Sequence, residues 1–285
     1  MTPDVAVRAR DAVGEGPHWD AERGVLLRVD IRAEQVIEWN PDAGTETRTG
    51  AGGPVSLVVP DGRGGLVVAG GSTVARWPAD GGRTELCRID EGTSSTTAND
   101  GKCDQRGRLW LGTWDRDGGA LGTLSVVDID GSVRLAESGL SASNGLAWNA
   151  DSTAFYLVDT PRRVIWRYEF DLDGGALGAR DVFAQIADGE ALPDGLAADQ
   201  AGGVWVALWG GGAVRRYDAD GVVTDVVPVP VTYPTSLAFG GADLRTLYVT
   251  TSSAHLHPPD AEPVAGSVLA FRTDAPGVPV GVFRG

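Results

Sequence analysis

Lysine is almost missing from this chain. Of its 24 basic residues, 23 are arginine, and the one lysine is Lys102. Such a bias fits a GC-rich coding preference. Positive charge of any kind is scarce, since 39 acidic residues against 24 basic ones leave a net charge of −15. A surface of that sign repels phosphate backbones and anionic headgroups, so neither nucleic acid nor a membrane surface is an expected partner. Solubility accounts for most of the acidic excess, although a negative field also concentrates cations. Only two cysteines occur, Cys87 and Cys103, without metal-type spacing. Two free thiols fit a reducing, cytoplasmic setting. No apolar run reaches the roughly 18 residues of a membrane-spanning helix. Residues 1–13 carry charges and lack the apolar stretch of a secretory leader. Sustained helical periodicity is absent throughout. There is no Gly-x-Ser-x-Gly elbow, phosphate loop or dinucleotide fingerprint, which removes the corresponding hydrolase and nucleotide-binding readings.

Glycine, by contrast, is abundant. The 41 glycines and 16 prolines are spread evenly with no low-complexity tract, which implies many tight turns. Between the turns lie short apolar runs such as Val25-Leu26-Leu27, Leu109-Trp110-Leu111, Phe155-Tyr156-Leu157 and Val204-Trp205-Val206, and each is followed by a run of polar alternation. Six stretches look alike, anchored at Glu15, Pro54, Asn99, Asn144, Asp194 and Thr235, and successive anchors are 39 to 50 residues apart. Repeats of that length made only of strands are those of propeller blades. The expected architecture is all-β, a six-bladed β-propeller of four-stranded blades forming a single domain over residues 1–285. A chain of this size buries about three quarters of its unfolded surface, and a 42% hydrophobic content can supply that core. Residues 5–10 alternate like a strand and are expected to pair into the last blade, closing the ring. Residues 278–283 are expected in the same blade.

Four of the six anchors are oxygen-bearing: Glu15, Asn99, Asn144 and Asp194. In a propeller these equivalent positions converge on the central channel. Two carboxylates and two amide oxygens in one pit suit a hard divalent cation, and without one the like charges of Glu15 and Asp194 repel. A cation held by Glu15, Asn144 and Asp194 keeps open positions for water and substrate and acts as a Lewis acid on a carbonyl oxygen. Asp194 is the candidate base that accepts a proton from an attacking water. Trp114 and Trp209 fall where top-face loops begin, and Trp114 is a candidate substrate wall. His18 reads as a packed inner-strand residue. His255 and His257, without a third partner nearby, read as loop surface.

Taken in order, the motifs Gly14-Glu15-Gly16-Pro17-x-Trp19, Asn99-Asp100-Gly101-Lys102-x-Asp104, Ser143-Asn144-Gly145-Leu146-x-Trp148 and Pro193-Asp194-Gly195-Leu196-x-x-Asp199 are specific. Over nearly its whole length the chain resembles the family of senescence marker protein (regucalcin), gluconolactonase and luciferin-regenerating enzyme. The resemblance implies a six-bladed propeller, in many members a metal-dependent lactonase. It also implies metal ligands at Glu15, Asn144 and Asp194, with Asn99 beside them contacting substrate or water. Thr97 stands where sugar-lactonase members usually carry arginine, and Trp114 stands where many relatives have methionine. Both departures point to a reshaped, more aromatic pocket and a less polar substrate.

The resulting expectation is a hydrolase that opens a lactone or similar cyclic ester with one divalent cation, calcium first, with zinc, magnesium or manganese as alternatives. Its partner is a small-molecule lactone, contacted by Asn99, Thr97 and Trp114, and its expected state is monomer or homodimer. Two rivals stay open. One is a metal-dependent enzyme on the same scaffold that acts on a non-sugar substrate of secondary metabolism. The other is a cation-binding propeller without catalysis.

Overall fold

The computed structural model describes residues 1–89, 95–258 and 261–285. A leading strand, β1 (Asp4–Val7), precedes the first blade, β2 (Gly14–Asp20), β3 (Val25–Asp30), β4 (Gln35–Asn40) and β5 (Thr45–Gly50). Blade 2 is β6 (Leu57–Pro60), β7 (Leu66–Gly70), β8 (Thr73–Trp77) and β9 (Thr84–Arg88). Blade 3 is β10 (Thr96–Cys103), β11 (Leu109–Asp115), β12 (Gly122–Val127) and β13 (Val133–Leu140). Blade 4 is β14 (Ser143–Trp148), β15 (Ala154–Asp159), β16 (Val164–Asp171) and β17 (Ala176–Gln185). Blade 5 is β18 (Leu192–Ala198), β19 (Val204–Trp209), β20 (Ala213–Tyr217) and β21 (Val223–Pro228). Blade 6 has only three strands of its own, β22 (Pro234–Gly240), β23 (Thr246–Thr251) and β24 (Val268–Arg272). The leading strand supplies its fourth, in the order β22-β23-β24-β1, with Val5 opposite Leu269. This is the expected ring closure, by a strand that ends at Val7 rather than at residue 10, and it covers the outer side of β24.

Burial follows position within each blade. The second strand of blade 1, β3, is buried along its whole length because both faces meet neighbouring blades. Its outermost strand, β5, reads Thr-Glu-Thr-Arg-Thr-Gly and is exposed throughout. Apolar clusters fill the gaps between blades. Between blades 3 and 4, Trp110 meets Trp148 edge-on at 6.1 Å and Phe155 at 5.4 Å. A polar clamp recurs at the lower end of the inner strands. Asp104 accepts from Trp110 Nε1 (3.0 Å) and Arg108 Nε (2.7 Å), and Asp199 accepts from Trp205 Nε1 (2.9 Å) and Arg216 Nε (2.7 Å). Burying charge this way requires full pairing, which the clamp provides.

The last residues correct one expectation. Residues 278–283 do not join blade 6. They run across the lower end of the channel, bridging Gly277 to Asp199 of blade 5, Gly281 to Cys103 of blade 3 and Phe283 to Asp61 of blade 2. Val278 N donates to Ala198 O (2.8 Å) and Phe283 N to Pro60 O (3.0 Å). The reason is the Phe283 side chain, fully buried in a cluster with Leu57, Val59, Val67, Cys103 and Leu109. Pro276 and Pro279 lack the N–H donors that a regular edge strand would need.

Candidate active site

At the upper end of the channel the inner strands break their register. Ser143 lies opposite Asp159 and Leu146 opposite Leu157, so Asn144 and Gly145 form a bulge. The same bulge holds Asn99 and Asp100 between Ala98 and Gly101, Asp194 and Gly195 between Pro193 and Leu196, and Thr235 and Ser236 between Pro234 and Leu237. In β2 it comes just after Glu15, at Gly16 and Pro17. An extra residue bends the strand and re-aims a side chain out of the pleat, and here it happens at Asn99, Asn144 and Asp194 and directly after Glu15. Neighbouring inner strands also approach closely. A Cβ on Gly145 would collide with the Leu196 amide, and one on Gly195 with Ser236 Oγ. Glycine after Asn144 and after Asp194 is therefore a condition of the channel's width.

Glu15, Asp100 and Asp194 are close enough to act on one another's charge. Asp194 is 6% exposed, and its Oδ1 has no hydrogen-bond partner. Burial pushes its pKa well above the usual carboxylate range. The charges of Glu15 and Asp100 add to that, while the Asn144 amide pulls the other way. Glu15 is half-buried and is pushed up to about 8, first by desolvation, then by Asp100. The Gly16 amide, donating to Glu15 Oε2 at 2.9 Å, and the Lys102 ammonium act against that rise. Asn144 Nδ2 donates to Thr160 Oγ1 (3.1 Å), which in turn donates to Pro193 O (2.9 Å), tying blade 4 to the strand that carries Asp194. Asn99 Nδ2 donates to Ser143 O (2.9 Å), beside Asn144. Charge links Glu15 to Asp194, the Asn144–Thr160–Pro193 hydrogen bonds link blade 4 to the strand of Asp194, and Asn99 bonds beside Asn144.

The donor set fits a hard divalent cation. It offers two carboxylates and an amide oxygen, a buried carboxylate oxygen without a partner, and like charges whose repulsion a cation would relieve. Among the described residues no three or more His, Cys, Asp or Glu side chains gather in a metal-holding group. The third ligand here would be the amide of Asn144.

Thr97 and Trp114 face each other across the β10–β11 pair. With Asn99 they line a cavity of about 250 Å³ whose other walls are Ile31, Glu34, Pro54, Val55, Ser56, Gly71 and Ala98. Trp114 is 37% exposed, which suits a wall better than a core residue. Trp209 packs instead against Tyr233 (4.9 Å) and His255 (4.7 Å). His255 is therefore half-buried in an aromatic cluster and not loop surface.

Asp100, Lys102 and His18 were not among the expected site residues, yet all three are buried in the channel. Asp100 Oδ2 and His18 Nε2 have no hydrogen-bond partner. Desolvation, then the Lys102 charge, pushes His18 down to about 3, so its imidazole is neutral. The available signal was the Asn99-Asp100-Gly101-Lys102 stretch itself, whose charged residues follow the anchor directly.

A six-bladed propeller with acid and amide side chains at the bulges of its inner strands is the class that fold and site define. Residues 13–253 match the family model described as SMP-30/Gluconolactonase/LRE-like region, and the chain belongs to that family. It is similar to a pentonolactonase of Haloferax volcanii, 37% identical over 88% of this chain and 86% of the relative. It is also similar to a 6-deoxy-6-sulfogluconolactonase of Pseudomonas putida, 35% identical over 98% of this chain and 97% of the relative. Among solved structures, the calcium-binding protein regucalcin from Agrobacterium tumefaciens superimposes with a TM-score of 0.93 at 27% identity, covering 98% of this chain and 96% of that one.

Proposed function

We propose that this protein is a metal-dependent lactonase acting on a small lactone less polar than an aldonolactone. The observation that carries the reading is the buried Asp194 carboxylate, one oxygen unpartnered, beside Glu15 and Asn144 at the mouth of the channel. The two relatives named for lactones support ester opening. Glu15, Asn144 and Asp194 would hold the cation. Once bound, it polarises an ester carbonyl and keeps the carboxylates ionised. Asp194 then accepts a proton from the attacking water. Water adds at the acyl carbon, the ring C–O bond breaks, and the released alkoxide takes the proton to give a hydroxy acid. Asn99, its nitrogen committed to Ser143 O, presents its amide oxygen to substrate or water.

The cavity supports the substrate class. Ile31, Pro54, Val55, Ala98 and Trp114 make apolar walls, and Thr97 offers a single hydroxyl where a guanidinium would supply a fork of donors. The test is hydrolysis of a panel of sugar and alkyl lactones with and without chelator. Loss of activity in chelator, with recovery on adding a divalent cation, is the expected result. Undiminished hydrolysis in chelator refutes metal dependence. Cation binding without hydrolysis of any lactone would favour the non-catalytic reading, for which the likeness to a calcium-binding protein is the supporting observation.

A further inference from the structure

The one lysine of the chain is not at its surface. Lys102 is 5% exposed, on inner strand β10. Its ammonium donates to Leu196 O on β18, so it spans the channel from blade 3 to blade 5, past blade 4. Leu196 is two residues beyond Asp194, at the lower edge of the bulge that aims that carboxylate. Among the described residues the ammonium bonds Leu196 O alone, and a single carbonyl is a poor match for a planar guanidinium with five donors. The fully buried Arg28 shows what an arginine needs, since it is paired to Asp11 (2.8 Å) and Glu46 (2.7 Å). In a chain that uses arginine at 23 of 24 basic positions, the exception falls where the fold requires a compact point charge.

We propose that Lys102 is a positioning residue of the candidate site: a fixed internal cation on the channel floor that holds β18 beneath Asp194 and offsets the repulsion between Glu15 and Asp100 when no external cation is bound. This rests on the metal-site reading only for its consequence on cation affinity. The electrostatics agree with the geometry. Burial pulls the Lys102 pKa down, and the charges of Asp100 and Glu15 hold it up. Asp100, with one oxygen unpartnered, is the carboxylate that an external cation is not expected to take. The ammonium therefore stabilises the empty pit and opposes cation entry.

The experiment is equilibrium unfolding in chelator of wild type, Lys102→Met and the double variant Lys102→Met/Asp100→Asn, with calcium binding to each measured by calorimetry. Lys102→Met should unfold at lower denaturant, and adding Asp100→Asn should recover at least half of that loss. Lys102→Met should also bind calcium at least threefold more tightly, because a fixed like charge has gone. A lysine that only filled space or bonded Leu196 would give a loss that Asp100→Asn does not repair, with calcium affinity unchanged or weaker, and either result overturns the proposal. If wild type binds no calcium, the metal reading falls and the recovery by Asp100→Asn alone decides the role of Lys102. Should Lys102→Met not fold, wild type labelled with 13C at the lysine ε-carbon gives one signal from the only lysine. That signal should shift on saturation with calcium, and a stationary signal refutes the proposal.

Discussion

Glu15→Gln makes the charge cost of the empty pit measurable. In the cation-free protein the Glu15 carboxyl is raised from 4.5 to about 8. A carboxyl whose folded pKa lies above its unfolded value binds its proton more tightly in the folded state. Its contribution is therefore fully present below about pH 4.5 and is lost as the pH rises through about 8. The whole shift corresponds to about 5 kcal/mol. Glu15 is only half-buried at the mouth, so solvent screening reduces the expected loss to ~2 kcal/mol. For a chain of this length that is a fall of roughly 4–8 °C in Tm. Thermal unfolding in excess chelator between pH 5 and 9 should show this decline in wild type, and Glu15→Gln should be the flatter by that amount. Excess calcium should restore wild type at the alkaline end, by about 2.7 kcal/mol at a hundred times Kd, and should do less for the variant. A wild-type profile as flat as that of Glu15→Gln would mean that Glu15 does not share a pit with Asp100 and Asp194, and the site as drawn would be wrong.

Other expectations can be checked alongside. Asp194→Ala should abolish hydrolysis of every lactone and also the Tm difference between chelator and calcium; a variant that keeps either refutes its double role. Thr97→Arg should move kcat/KM towards sugar lactones, whereas a wild type that already prefers glucono-lactone tenfold, about 1.4 kcal/mol, makes Thr97 a neutral replacement. Phe283→Ala should cost about 3 kcal/mol in equilibrium unfolding while leaving KM for the substrate close to wild type; a loss below about 0.5 kcal/mol would mean the tail is not an integral part of the core.

Much of this arrangement was legible in the sequence because it repeats. Six anchors with similar followers, each before an apolar run, could be aligned without knowing any contact, and the alignment put Glu15, Asn99, Asn144 and Asp194 in one place. What did not repeat was not legible. Residues 278–283 were expected in blade 6, and nothing local shows that Phe283 finds its pocket beside Leu57, 226 positions earlier, and Cys103, 180 positions earlier. The bulges were hidden too, because a register shift is a property of two strands and the sequence presents one at a time. Lys102 was read as a sign of coding bias. Its place in the channel depends on Leu196, on a blade that is not even its neighbour.

The tail crosses the lower end of the channel and narrows it on the side away from the Glu15–Asp194 mouth. Val278, Pro279 and Val280 share a small lower cavity with Leu146, Ala197, Leu237 and Lys102, so the tail stands in the way of passage through the channel. On the proposed lactonase reading, lactone, water and hydroxy acid would all use the mouth at Glu15 and Asp194. Departure and arrival would then be sequential, and a hydroxy acid lingering at that mouth would compete directly with the next lactone.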